Sequence, residues 1–197
     1  MEKIILATAS PYRIQTLKET GYEFLAESSN IDEKFKGRPE NPLELVKTLA
    51  KLKAEDVSKN HKEGIIIGMD SIGYFNEKIL EKPKSYHEAL NRLQDLSGKT
   101  YSFFTGVHLI NKNNDKTLNK TIETKVQMRE LKEDEIRNYL DNDKEERYKT
   151  YAQGYDPING ISSSFISEII GSPLNILKGI PLPQIIDMIK EIKTSNK

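Results

Sequence analysis

The sequence predicts an α/β fold, a mixed β-sheet flanked by helices. Three observations lead there. "KIILA" (3–7) and "GIIIGMDS" (64–71) are short, apolar, β-rich runs of the kind buried inside a sheet. Amphipathic helix patterns lie between and after them, so strands and helices alternate along the chain. "TYSFFTGVHLI" (100–110) and "LNKTIETKVQM" (118–128) read as two long strands joined by the polar "NKNNDK".

Each element has a local reason. After the first strand, Ser10 is an N-cap residue and Pro11 fits the first helical position. Gly21 can end that helix in a left-handed conformation. Residues 22–36 read as extended or looped. A second helix starts at Asn41-Pro42 and runs to about Ser58, with Leu45, Val46, Leu49, Ala50, Ala54 and Val57 on one face. "IGYFNEKILEK" is a hairpin turning near Asn76-Glu77. Ser85 and Glu88 form a capping box for a helix to Leu96, stopped by Gly98. "KEDEIRNYLD" (132–141) is a short helix, "YAQGYDPINGISSSFISEIIG" is strand-like with turns, and 181–193 closes as a helix.

At 197 residues the chain suits one domain, or one domain with a lobe. Its 30 basic and 30 acidic residues cancel, so no global field draws it toward DNA, RNA or a membrane surface. It has no cysteine, which removes disulfides and thiolate metal sites. No charged n-region precedes a long apolar stretch, and no run approaches a membrane span, so the expected location is the cytoplasm. "LSGKT" (96–100) imitates the tail of a P-loop, but Leu93 stands where its first glycine belongs. The three histidines show no metal-ligand spacing and read as structural.

The chemistry-bearing residues are few. A helix opening at Ser10 offers backbone N–H groups and a positive dipole end to an anion. Arg13 in its first turn can grip phosphate through two N–H groups, although an ordinary capped helix with a solvated Arg accounts for the same residues. Asp70 closes an apolar strand run, where a carboxylate can hold a divalent cation or take a proton from water; an Asp opening a turn is the plainer alternative. Lys53 falls inside the apolar stripe of the second helix. It must either extend its amine to solvent or find an anion. Glu33 and Lys82, each taken alone, read as surface charge.

Taken in order, these pieces resemble the Maf family of nucleoside triphosphate pyrophosphatases, also called septum formation proteins. The family's opening A-S-x-S-P-R-R or A-S-x-S-P-W-R-R turn is matched by Ala7-Thr8-Ala9-Ser10-Pro11-Tyr12-Arg13-Ile14. Its S-x-I-D-E appears as "SNIDE", ending at Glu33, and its L-A-x-x-K-A as Leu49-Ala50-Lys51-Leu52-Lys53-Ala54. Gly68-Met69-Asp70-Ser71, Lys82-Pro83, "LSGK", "FTGVHL" and Gly179-Ile180-Pro181-Leu182 follow in family order. The match runs from about residue 3 to 190.

The resemblance implies a single Maf-like domain over 1–197, an elongated α/β fold shared in outline with inosine triphosphate pyrophosphatases, with two lobes and a cleft between them. It implies cleavage between the α- and β-phosphates with a divalent metal, Mg2+ or Mn2+. By the same resemblance Asp70 is the general base or metal-linked carboxylate and Glu33 supports it. Arg13, Lys53 and Lys82 hold phosphates, and the turn at Ser10 binds the triphosphate. Tyr12, Ser71 and Tyr155 fall where the base is selected.

Three departures mark this chain. Ile14 replaces a second Arg, and Ser71 replaces Thr or Gln. Tyr12 resembles the aromatic branch of the family, linked to N7-methyl-GTP, more than the Arg branch linked to dTTP and UTP; an aromatic face can stack on a base, and a methylated, cationic purine gains further. Two other readings stay open: a nucleotide-binding regulator of septation without turnover, and a homodimer formed through the charged strands 100–128 acting as a sheet edge.

Overall fold

The computed structural model describes residues 2–194. Its strands are β1 (Ile4–Ala7), β2 (Phe24–Glu27), β3 (Ile65–Phe75), β4 (Lys78–Leu80), β5 (Thr100–Asn111), β6 (Lys116–Met128) and β7 (Ile166–Ile170). Its helices are α1 (Pro11–Lys18), α2 (Pro42–Ser58), α3 (Tyr86–Leu96), α4 (Glu133–Asn142), α5 (Pro173–Lys178) and α6 (Leu182–Lys193). The seven strands form one mixed sheet in the order β2-β1-β3-β5-β6-β7, with β4 paired to β3.

The chain divides into two compact units. Unit 1 holds residues 1–71, 104–122 and 178–197, and unit 2 holds 72–103 and 123–177. Strands β3, β5 and β6 each contribute residues to both.

In unit 1, β1 pairs in parallel with β2 and with β3, so Ala7 lies opposite both Glu27 and Gly68. A parallel sheet covered on both faces buries every residue of its strands, which is why "IILA" and "IIIGM" are continuously apolar. Alternation then assigns the faces. Ile4, Leu6, Ile65, Ile67, Met69, Val107 and Leu109 pack with Leu17 of α1 and Ile185, Met188, Ile189 and Ile192 of α6. Ile5, Ala7 and Ile66 pack with Ala54 and Val57 of α2.

Unit 2 has its own core, built by α3 and α4 with β5, β6 and the segment after them. Leu90, Leu93, Leu96, Tyr101, Val126, Met128, Ile136, Tyr139, Tyr155 and Phe165 form it. The hairpin of β3 and β4 turns through Asn76 and Glu77, both at positive φ, which is the two-residue turn geometry that matches strand twist.

Three expectations change. The stretch 22–36 contains a strand, β2, whose exposed Leu25 hid its sheet character from an apolar-run reading. One 3-10 turn, Arg147–Lys149, precedes the segment 151–171 and a second, Ile161–Ser164, lies within it before β7; α5 follows as a further short helix. Strand β5 lies inside the sheet between β3 and β6, and β7 pairs with Lys125–Met128 of β6, so the edge that a dimer reading needs narrows from 100–128 to 116–124.

Candidate active site

Helix α2 lies unusually close to the sheet. A Cβ on Gly68 would fall 2.2 Å from the Ala50 carbonyl oxygen and 2.6 Å from the Ala54 nitrogen, and one on Gly106 would fall 2.2 Å from the Val46 oxygen. Only glycine permits that approach. It sets one turn of α2 against β3, and Lys53 is on that turn. Gly68 and Asp70 share a face by strand alternation, so Asp70 points to the same side as α2.

The result is a three-residue bridge. Lys53 Nζ donates to Asp70 Oδ1 at 2.6 Å and lies 2.7 Å from Glu33 Oε1. The ammonium that looked misplaced on an apolar stripe has found two carboxylates. Their environments differ: the Asp70 side chain is 11% exposed and that of Glu33 55%. Burial raises the Asp70 pKa from its ordinary value; Lys53 and Arg13 oppose that shift and Glu33 adds to it. A nearly buried carboxylate whose pKa is raised and which is hydrogen-bonded to an ammonium suits proton exchange.

Asp70 does not end its strand, as the sequence suggested; β3 runs on to Phe75. It lies instead just past the end of parallel β1, where Ala7 faces Gly68 and the chain turns into α1. Ligand sites of α/β sheets gather beyond such strand ends.

The opposite parity of β3 sends Met69 and Ser71 toward α1 and α6. There Arg13 donates through Nε to the Gly179 oxygen at 2.7 Å, through Nη1 to the Met69 oxygen at 3.1 Å, and through Nη2 to Ser71 Oγ at 2.7 Å. Those bonds use three of the five guanidinium N–H groups. Arg13 therefore ties the start of α1 to β3 and to the loop before α6. Ser71 Oγ also lies 2.7 Å from the fully buried Thr105 Oγ1. Its hydroxyl is engaged inward on this face of the sheet.

Ser10 takes the N-cap position in extended conformation, but its side chain makes no cap hydrogen bond. Its own N–H donates to Thr8 Oγ1 at 3.1 Å. No acidic residue occupies the first turn of α1. Tyr12 follows Pro11 there and is half-buried.

The other expected site residues lie in unit 2. Lys82 is exposed in the loop between β4 and α3. Tyr155 is a correction: its ring is fully buried in the unit 2 core, and its hydroxyl meets Tyr101 Oη at 2.9 Å and Met128 Sδ at 3.2 Å. A side chain without exposed surface and with its polar atom engaged has nothing left for a nucleobase. Burial pushes the pKa values of both tyrosines upward, so the pair stays neutral.

The donor set suits a hard divalent cation. Asp70 and Glu33 supply carboxylate oxygens, and the Lys53 ammonium already stands as a cation between them. Among the described residues no three His, Cys, Asp or Glu side chains gather to hold a metal alone. A cation here would need phosphate and water for its remaining ligands, the usual situation for Mg2+.

A family model described as Maf-like protein matches residues 3–192. The chain belongs to the Maf family. Among its relatives, a dTTP/UTP pyrophosphatase of Clostridium perfringens strain SM101 is 39% identical over 184 residues, covering 91% of this chain and 92% of that one. A dTTP/UTP pyrophosphatase of Dictyoglomus thermophilum is 32% identical over 191 residues, covering 97% and 96%. The Ham1 protein of Staphylococcus aureus is similar in structure at a TM-score of 0.46 and 15% identity, covering 64% of this chain and 72% of that one. Both sequence relatives carry the pyrimidine name and not the N7-methyl-GTP name toward which Tyr12 pointed.

Within this Maf chain, sequence reasoning missed Thr105, the carbonyls of Met69 and Gly179, and the enabling role of Gly68. Thr105 carried one signal: a hydroxyl residue at a position whose alternation places it among Val107 and Leu109 in the core. Backbone acceptors carry none. No helix among the described residues is long and apolar enough to cross a membrane.

Proposed function

We propose that this chain is a nucleoside triphosphate pyrophosphatase acting on dTTP and UTP, releasing the monophosphate and pyrophosphate. The observation that carries the reading is the Lys53 bridge between Glu33 and Asp70, adjacent in sheet register to the start of α1. The names of the relatives supply the substrate class.

In this reading a water attacks the α-phosphorus. The new O–P bond forms, the bond from that phosphorus to the bridging oxygen breaks, and pyrophosphate leaves. Asp70 accepts the proton of the water, and Glu33 and Lys53 hold Asp70 in place. The α1 start, which carries no acidic residue in its first turn, faces negative charge favourably. Lys53 turns part of its charge to the phosphates, and Lys82 adds another by its match to the family K-P. Positioning and charge neutralisation supply most of the acceleration in such chemistry. Asp70 and Glu33 would hold a divalent cation, which, when bound, draws charge from the phosphates.

A second substrate, N7-methyl-GTP, is favoured by one observation, the aromatic Tyr12 in the first turn of α1. Product analysis across dTTP, UTP, GTP and N7-methyl-GTP, with Mg2+ or Mn2+, separates the readings. Equimolar monophosphate and pyrophosphate from the pyrimidine nucleotides is expected. Diphosphate and orthophosphate would overturn the bond assignment, and binding without any product would favour a regulator.

A further inference from the structure

Lys82 stands between two anchors that belong to one helix. Helix α3 starts at Ser85, whose side chain accepts the Glu88 N–H at 3.2 Å. One turn in, Glu88 Oε2 accepts the backbone N–H of Lys84 at 2.8 Å. One turn further, at the i+4 position on the same face, Arg92 Nη1 donates to the Glu81 carbonyl oxygen at 3.2 Å. The carboxylate thus holds the chain just after Lys82-Pro83, and the guanidinium holds it just before. Pro83 fixes its own φ and keeps Lys82 extended, so few backbone freedoms remain between the anchors.

Arg92 has a second partner. The same Nη1 donates to the Ala152 carbonyl oxygen, part-buried in the segment that leads to Tyr155. Gly154, at φ +82, lies beside the brace: a Cβ there would meet Arg92 Cγ and Pro83 Cγ at 3.5 Å, ordinary van der Waals contact. The arginine stem, Pro83 and the 152–154 backbone therefore pack as one cluster inside unit 2. Burial lowers the Arg92 pKa, while Asp95, Glu88 and Glu81 raise it; the guanidinium stays charged.

We propose that Arg92 is a positioning residue: it fastens the loop carrying Lys82 to the 151–154 segment and so fixes where the Lys82 amine meets a triphosphate. The proposal rests on the phosphate role given to Lys82 above. Both carbonyls are held by the one Nη1, which the planar guanidinium fixes in direction; a lysine ammonium at position 92 has the donors for both but a flexible stem, so it can take over only part of that role. An uncharged residue there leaves the two carbonyls without their donor and the loop free to rotate about residues 80–82.

The test is a double-mutant cycle of Arg92→Met with Lys82→Ala, read as kcat/KM for pyrophosphate release, with amide hydrogen exchange as the second readout. Arg92→Met in the otherwise native chain is expected to lower kcat/KM by about 10- to 100-fold, the usual consequence of displacing a binding group by about 1 Å. In the Lys82→Ala background it is expected to cost under about twofold, because the group it positions is gone. Arg92→Lys should recover part of the loss. Exchange at Lys84 and Gly154, whose N–H groups are bonded to Glu88 Oε2 and the Tyr151 carbonyl oxygen, should quicken in Arg92→Met while the α4 amides stay protected. An equal cost in both backgrounds, or unchanged exchange at those two amides, overturns the proposal. If the native chain releases no pyrophosphate, the reading of the activity fails with the role at the phosphates, and the exchange result alone still decides whether the brace exists.

Discussion

Lys53 Nζ and Asp70 Oδ1 are 2.6 Å apart, seventeen residues apart in sequence, and joined only because Gly68 lets α2 lie against β3. The pair is nearly buried, with side-chain exposures of 14% and 11%. At such burial each charge depends on the other. Taking Lys53 away alone would strand Asp70.

Lys53→Met should therefore destabilise the protein, by about 1–3 kcal/mol, below the 3–5 kcal/mol of a fully buried broken pair. The double variant Lys53→Met, Asp70→Asn should regain most of that loss, because no carboxylate is left uncompensated. Thermal melts of both variants check this. A single variant as stable as the native chain would show that solvent already balances Asp70.

Gly68→Ala tests the close approach itself. The added methyl would press on the Ala50 carbonyl and the Ala54 nitrogen, so α2 must shift. A loss of about 3 kcal/mol is expected, together with lower pyrophosphatase activity, since Lys53 moves with α2. Gly73→Ala, which meets the flexible Leu80 side chain at 3.0 Å, should cost less.

Tyr155→Phe separates core from site. It deletes the hydroxyl that meets Tyr101 and Met128 and leaves the buried Tyr101 hydroxyl short of a partner. Stability should fall by about 1–2 kcal/mol. The KM for nucleotide should stay within about twofold of the native value; a selective rise in KM would return Tyr155 to the substrate.

Glu135 gives a pH signature unconnected to catalysis. Its carboxylate accepts from Arg129 Nη2 at 2.7 Å and from the Lys132 N–H at 3.1 Å, which holds its pKa at about 2 against an ordinary 4.5. The folded state thus binds fewer protons than the unfolded state between those values. Stability from this contact is complete above the ordinary value and is lost as pH falls through about 2. Glu135→Gln should melt lower than the native chain at neutral pH, and the gap should close as pH approaches 2. A gap independent of pH would mean that the hydrogen bonds, not the charge, matter.

Most elements were legible because their signals are local. Asn41, Pro42 and the apolar stripe bound α2, and alternation and turn residues bound the β5–β6 hairpin. Edge strand β2 was read only as extended, since its half-exposed face lacks a buried strand's apolar run. At the site, Lys53 announced itself by being on the wrong face of a helix. What it met could not be read, because pairing with Asp70 depends on how closely two elements approach. The commitment of Arg13 to Met69, Gly179 and Ser71 was hidden for a related reason: two of its three acceptors are backbone oxygens, which every residue has. Tyr155 misled because an aromatic residue in an irregular segment looks like a ligand contact until its burial is known.

The most direct measurement is pyrophosphate release from dTTP and UTP by the purified chain with Mg2+ or Mn2+, native against Asp70→Asn. The substitution keeps the size of the side chain and removes its basicity. We expect release by the native chain and a loss of about 100-fold or more in the variant, with folding retained. Equal release by both proteins would contradict the assignment of Asp70 as the group that takes the proton.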